Sequence, residues 1–222
     1  MTRPIQAGLL IVTLAVLGVV PALAQDATDP DAGLTDPLDG AALVSALRRG
    51  GLVVYFRHAQ TEKDYADQIN ADPNDGSTQR VLSEEGWHQA KAIGASWRRL
   101  GLPVGEVISS QYFRAWQTAD LAFGRYTKNA ALNFEPAEEY TDEQFDAMRA
   151  RTQPMLSAPV YVGVNRVIVG HDDPFEASTG IYPEPQGVAY VIRPLGKDGG
   201  PGEGFELLAR LEAGDWAELP SP

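Results

Sequence analysis

The sequence predicts an α/β protein, a three-layer α/β/α sandwich around a mostly parallel central sheet. Two observations predict it. Short apolar runs of β-formers recur at residues 52–56, 104–109, 130–134, 167–170, 188–192 and 205–211. Between most of them lie stretches of helical periodicity with their own start and stop signals, and strands alternating with helices favour parallel pairing. A third observation concerns chemistry: three of these strands lead directly, or through the first turn of the next helix, into arginine or histidine, and in open α/β sheets ligands bind beyond the carboxyl ends of the strands.

The elements follow in order. Residues 41–49 form a short helix, with Leu43, Val44 and Leu47 on one face and Gly50-Gly51 as its stop. The strand at 52–56 is opened by glycine and closed by Arg57-His58. Residues 62–79 carry five acids, one lysine, Pro73, Asn74 and Gly76, a long polar excursion for a compact domain. It is either a lid over a site or a surface insertion. Ser83 caps the next helix, Glu84 and Glu85 occupy its first turn, and Arg98-Arg99-Leu100-Gly101 ends it. Trp87, Ala90, Ile93, Gly94, Trp97 and Leu100 are its expected core stripe; His88 lies off that stripe and reads as a surface histidine.

The strand at 104–109 leads into a helix with Arg114 in its first turn. A third strand is expected at 130–134, then an acidic loop at 135–140. Thr141 and Gln144 form a capping box for a helix running to about residue 151, beyond which Pro154 forbids continuation. The strand at 167–170 ends in His171-Asp172-Asp173-Pro174, read as a helix with Asp173 as N-cap and Pro174 at its first position. Two further strands flank a Gly/Pro-rich turn at 194–204.

The chain has 222 residues, 30 acids against 18 bases and a net charge of −12. This acidic balance argues against a nucleic-acid partner. It holds no cysteine, so disulfides, thiol nucleophiles and Cys-ligated metals are excluded, and three histidines make a His-rich metal site a poor expectation. Residues 1–24 read as a signal peptide: Arg3, an apolar run at 7–20 and a small-residue site before Gln25. The alternative is a retained anchor, since the run is only just long enough to span. The expected organisation is a signal peptide at 1–24, a flexible leader at 25–39 and one domain at 40–219, with the mature protein periplasmic or secreted and not inserted in a membrane. Oligomeric state is not readable.

Arg57, His58, Arg114 and His171 arrive at one edge of one sheet from three strand ends. Gathering cationic or potentially cationic side chains costs free energy unless an anion joins them. A phosphoryl group is the obvious anion, because guanidinium binds its oxygens bidentately and neutral imidazole is a nucleophile that can accept it. Flanking cations lower an imidazole's pKa and keep its lone pair free.

Four stretches in order resemble the histidine phosphatase superfamily, in its phosphoglycerate-mutase-like branch. Arg57-His58-Ala59-Gln60-Thr61 is similar to that family's first motif, with alanine in place of glycine after the histidine. Leu82-Ser83-x-x-Gly86-x-x-Gln89-Ala90 resembles its intervening helix start, Ser109-Ser110-x-x-x-Arg114-Ala115-x-Gln117-Thr118-Ala119 its second motif, and Val169-Gly170-His171 its third. The resemblance implies a phosphoglycerate-mutase-like fold, His58 as nucleophile, and Arg57, Arg114 and His171 around the phosphoryl oxygens. Thr61 is a support for the loop or a substrate contact, and Arg80 either contacts substrate or lies on the surface. No metal or cofactor is implied.

The leaving-group acid is open. Among Glu135, Glu138 and Glu139, the resemblance favours Glu138 or Glu139. Asp172 follows, because His-Asp is found in the more distant acid-phosphatase branch; otherwise Asp172 is solvated and Asp173 only a cap. The function expected is a metal-independent phosphomonoesterase acting on a small phosphorylated substrate. The alternatives are a phosphomutase, or a non-catalytic protein that binds phosphate or a phosphosugar.

Overall fold

A computed structural model describes residues 33–35, 37–64, 66–136, 139–197 and 202–221. The signal-peptide segment and most of the leader lie outside the described residues. The elements are α1 (Gly40–Arg49), β1 (Val53–Arg57), α2 (Glu84–Leu100), β2 (Val104–Ser109), α3 (Phe113–Phe123), β3 (Thr127–Lys128), α4 (Asp142–Ser157), β4 (Asn165–Gly170), α5 (Asp172–Thr179), β5 (Ala189–Pro194), β6 (Phe205–Leu211) and α6 (Asp215–Glu218).

The six strands form one sheet in the order β3-β2-β4-β1-β5-β6. The pairs β1·β4, β2·β4 and β2·β3 are parallel, and β5 and β6 are added antiparallel at the other side. β1 is buried along its whole length, as its apolar run demands. Its alternation feeds both faces. Val54 and Phe56 pack with α1, α2, α3 and α6 through Leu47, Trp97, Ala119 and Trp216. Val53 and Tyr55 pack on the opposite face with Leu156 of α4 and Phe175 of α5. This is the predicted three-layer sandwich. The helices that follow β1 and β4 lie on opposite faces, so a crevice opens between these neighbouring strand ends, at the topological switch point.

Helix signals read from the sequence hold at α2. The Ser83 hydroxyl accepts from the Gly86 N–H, and Gly101 ends the helix in the left-handed region at φ 63°. The stripe differs in one place: Trp87 is 48% exposed, and Gly86 takes the buried position beside it. A Cβ at Gly86 would run into the backbone carbonyl of Gln60, in the loop after β1. The helix start is therefore seated directly on that loop.

Three other expectations are corrected, and one further helix is added. The 130–134 strand is a single 3-10 turn at Ala130–Leu132 that buries Leu132, and the strand pairing with β2 is two residues long and precedes it. α4 does not stop at 151 but passes through Pro154 to Ser157. An interior proline costs about 3 kcal/mol. Burying Met148 and Leu156 at about 1.5–3 kcal/mol each offsets it. α5 begins two residues earlier than expected, with His171 as N-cap, so Asp173 is not the cap and Pro174 stands third in the helix. Finally, α6 has no readable period in four residues, yet it carries Trp216, which is fully buried and stacks on Phe56 with ring centroids 5.6 Å apart.

Gly86→Ala should lower unfolding stability by about 1–3 kcal/mol, the usual cost of overpacking. Gly214→Ala, where a Cβ meets open space, should stay within about 0.5 kcal/mol. Urea melts of both variants check this, and equal losses would refute the seating of α2 on the Gln60 loop.

Candidate active site

The parallel register sets Arg57 opposite Gly170. His58 and His171 are the next residues on their strands, and the ladder is extended by the His58 N–H donating to Gly170 O at 3.0 Å. The imidazole rings lie 5.4 Å apart at 62°, and both side chains are fully buried. α3, entered from β2, supplies Arg114 from its first turn, also buried.

Hydrogen bonds fix the state of His58. Its Nδ1 lies 2.9 Å from Ala59 O, and a carbonyl can only accept. Nδ1 therefore carries the proton in the neutral ring. Nε2 keeps its lone pair, toward which Arg114 Nε donates at 3.1 Å. Burial, first, and the Arg114 charge, second, hold the His58 pKa well below the ordinary histidine value. The ring is thus neutral, oriented and unprotonated on the nitrogen that faces a guanidinium.

His171 is fixed by a second network. Asn133 Oδ1 accepts from the Gln111 N–H at 3.0 Å and from the Ser110 hydroxyl at 2.8 Å. Ser110 has thereby given its only proton away and can only accept from His171 Nε2, 2.8 Å off. Nδ1 of His171 is buried without a hydrogen-bond partner among the described residues. Burial, then Arg114 and His58, keep the pKa of His171 well below its ordinary value too. Tyr55 braces the backbone of the same residue, donating to His171 O at 2.8 Å and accepting from His171 N at 3.0 Å. Tyr112 and Phe134 flank the His171 ring edge-on and lie 5.3 and 5.2 Å from the Arg114 guanidinium carbon.

The arginines are held by carboxylates. Arg57 donates to Asp172 and to Pro183 O and pairs with Glu184 at 3.0 Å. Burial pulls the Arg57 pKa down, but Asp172 and Glu184 together raise it. Arg114 Nη1 pairs with Asp67 at 2.8 Å, and the same Asp67 oxygen accepts the Arg80 N–H. Burial dominates at Arg114 and lowers its pKa.

Of the residues singled out in the sequence, the structure brings together Arg57, His58, Arg114, His171 and Asp172. Arg80 sits beside them, lining a cleft of about 420 Å³ with Arg114 and a second of about 550 Å³ with Arg57. Thr61 is buried and turned to the Gln186 amide, which its N–H and hydroxyl both meet, so it secures the loop. Ala59, in place of glycine, is accommodated without strain, since no non-glycine residue among those described has positive φ, and its N–H donates to Thr118 Oγ1. Glu139 is exposed and lines neither cleft; Glu135 is occupied by Arg151 at 2.6 Å; Glu138 lies outside the described residues. Asp172 is not solvated but paired with Arg57. His88 is a surface histidine.

Sequence reasoning missed Tyr55, Asp67, Ser110 as a hydrogen-bond relay, and Asn133. Only for Tyr55 was a signal present, as a polar group in a wholly buried strand, which must find a partner. Asp67 was legible only as one acid among five in a polar loop.

This arrangement can accept a phosphoryl group on His58 Nε2 and surround its oxygens with guanidinium. No cluster of His, Cys, Asp or Glu among the described residues has the arrangement to hold a metal. No curated protein sequence matches the chain. Solved structures do resemble it. TTHB049 from Thermus thermophilus is 20% identical over 72% of this chain and 98% of its own, with a TM-score of 0.48. A phosphoserine phosphatase from Entamoeba histolytica, in complex with phosphoserine, is 12% identical over 73% and 97%, TM-score 0.49. The protein histidine phosphatase SixA complexed with tungstate is 10% identical over 74% and 98%, TM-score 0.44. A family model for the histidine phosphatase superfamily, branch 1, matches residues 53–136, the span from β1 through the Gln60 loop, α2 and the Arg114 turn. The buried Arg57-His58 pair at the end of β1 lies within the segment that this family model matches.

Proposed function

We propose that the protein is a phosphoric monoester hydrolase that works through a phosphohistidine at Nε2 of His58. One observation carries the reading: His58 is a neutral imidazole whose Nδ1 proton is tied to Ala59 O and whose Nε2 lone pair faces Arg114. Nε2 attacks phosphorus as the ester oxygen departs, and Arg57 and Arg114 stabilise the charge spread over the phosphoryl oxygens, with His171 walling the pocket beside them. Water then attacks the phosphohistidine, releasing inorganic phosphate and restoring the ring. The substrate is a small phosphorylated molecule entering by the clefts that Arg80 lines.

Export to the periplasm or beyond the cell is part of the proposal and rests on the apolar run at 7–20 and the small residues before Gln25. An exported protein whose first residue is Gln25 supports it; one that retains residues 1–24 counts against it. No helix of the described residues is long and apolar enough to cross a membrane.

The central test is hydrolysis of p-nitrophenyl phosphate in the presence of EDTA. Turnover is expected to persist with the chelator and to fall more than about 10³-fold in His58→Ala, the scale of losing a nucleophile. A rapid quench should trap a base-stable, acid-labile phosphoprotein. Tight phosphate binding without turnover would sink the reading in favour of a binding protein, and transfer without net release would favour a mutase.

Asp67 competes with a phosphoryl group for Arg114. Asp67→Asn removes the charge while leaving an oxygen for the Arg80 N–H. Inorganic phosphate should then inhibit about tenfold more tightly, a hydrogen bond to a charged group being worth about 1.5–3 kcal/mol. Weaker inhibition would show instead that Asp67 orients Arg114 for substrate.

A further inference from the structure

An alkyl phosphate cannot lose its alkoxide at neutral pH without a proton, so a hydrolase reading of this site requires a donor. His58 is the nucleophile, and its one N–H is committed to Ala59 O. The guanidinium groups stay protonated. Asp172 has no proton to give. Burial pushes its pKa up, but the Arg57 charge outweighs that, helped by the Tyr182 hydroxyl donating at 2.8 Å. Its carboxyl therefore stays below the ordinary aspartate value. Asp67 and Glu184 are bound to the two arginines.

Asp173 differs from all of these. It lines the 420 Å³ cleft together with Arg114 and Arg80 and stands two residues after His171, in the first turn of α5. It forms no ion pair among the described residues. Its single side-chain partner there is Tyr140, whose hydroxyl donates to Oδ2 at 3.0 Å. Burial, first, and the neighbouring Asp172 charge, second, push its carboxyl up to about 6. Glu176 on the same helix acts in that direction, while the Tyr140 hydrogen bond and Arg57 act against it. Asp67, Arg80, Arg114 and Tyr182 face the same cleft from the other elements. Two adjacent aspartates at one helix start are thus driven apart, one ionised on an arginine and one able to keep its proton.

We propose that Asp173, not the carboxyl next to His171 nor a glutamate of the 135–140 loop, is the general acid. The assignment rests on the phosphatase reading above. As the His58 Nε2–P bond forms and the P–O ester bond breaks, Asp173 gives its proton to the departing oxygen. The resulting carboxylate then takes a proton from the water that opens the phosphohistidine, which returns the carboxyl to its starting state.

The test compares an alkyl ester, glycerol 2-phosphate, with 2,4-dinitrophenyl phosphate, whose leaving group needs no proton. In Asp173→Asn, kcat on the alkyl ester should fall about 10²–10⁴-fold, the usual contribution of general acid catalysis, and at least ten times more than on the dinitrophenyl ester. Equal losses on both esters, or a leaving-group-dependent loss confined to Asp172→Asn or Glu138→Gln, overturn the assignment while the phosphatase reading stands. A wild-type protein inert toward both esters overturns both. Tyr140→Phe serves as an independent arm should Asp173→Asn fail to fold. Removing the hydroxyl that stabilises the carboxylate raises the Asp173 pKa, so the limb on which kcat falls with rising pH should move to higher pH. A limb that stays in place or moves down overturns the proposal.

Discussion

The pairing of Arg57 with Gly170 across β1 and β4 is the constraint on which the site depends. A one-residue slip in this register would turn one histidine to the opposite face of the sheet, because side chains alternate along a strand. The pairing is specified from both faces. Val54 and Phe56 must meet the aromatic cluster of Trp97 and Trp216, while Val53 and Tyr55 must meet Leu156 and Phe175. Tyr55 adds a polar lock, since its hydroxyl holds both backbone groups of His171, and the absent side chain of Gly170 leaves it room. Core packing thereby sets the distance between two imidazoles that are 113 positions apart in the chain.

The second constraint is electrostatic. Two buried guanidinium groups and two buried imidazoles share one pocket in a protein whose overall charge is −12. Burial keeps both histidines neutral, which leaves repulsion only between the two guanidinium groups. The arginines keep their charge and are matched by Asp67, Asp172 and Glu184, which reach the pocket from three separate segments. The pocket is therefore stable without a bound anion, and an incoming phosphoryl group exchanges with carboxylates rather than filling an uncompensated field.

Much of this was legible in the sequence because it rests on local rules. The Leu52–Phe56 run, the Ser83 cap, the Gly101 stop and the Arg114 turn each follow from residues within a few positions of one another. The errors fall where tertiary packing overrides local preference. Pro154 is carried through α4 by the burial of Met148 and Leu156, Trp87 yields its place to Gly86 because the Gln60 carbonyl needs the space, and residues 130–132 form a turn, capped by Asn129, that buries Leu132. The site was legible as a set of cations but not as a balanced one. Nothing in the 62–79 stretch distinguishes Asp67 from its neighbours, and Asp172 and Asp173 differ chiefly because Arg57, from a distant part of the chain, pairs with the first and not with the second.

The three histidines of the chain fall into two classes by exposure: His58 and His171 are sealed, whereas the His88 side chain is 66% exposed. A carbethoxylating reagent would therefore modify one imidazole per molecule while the pocket stays shut. Uptake of a second and third equivalent would time the exposure of His58 and His171, so that ordinary histidine chemistry becomes a clock for the opening of the nucleophile to solvent.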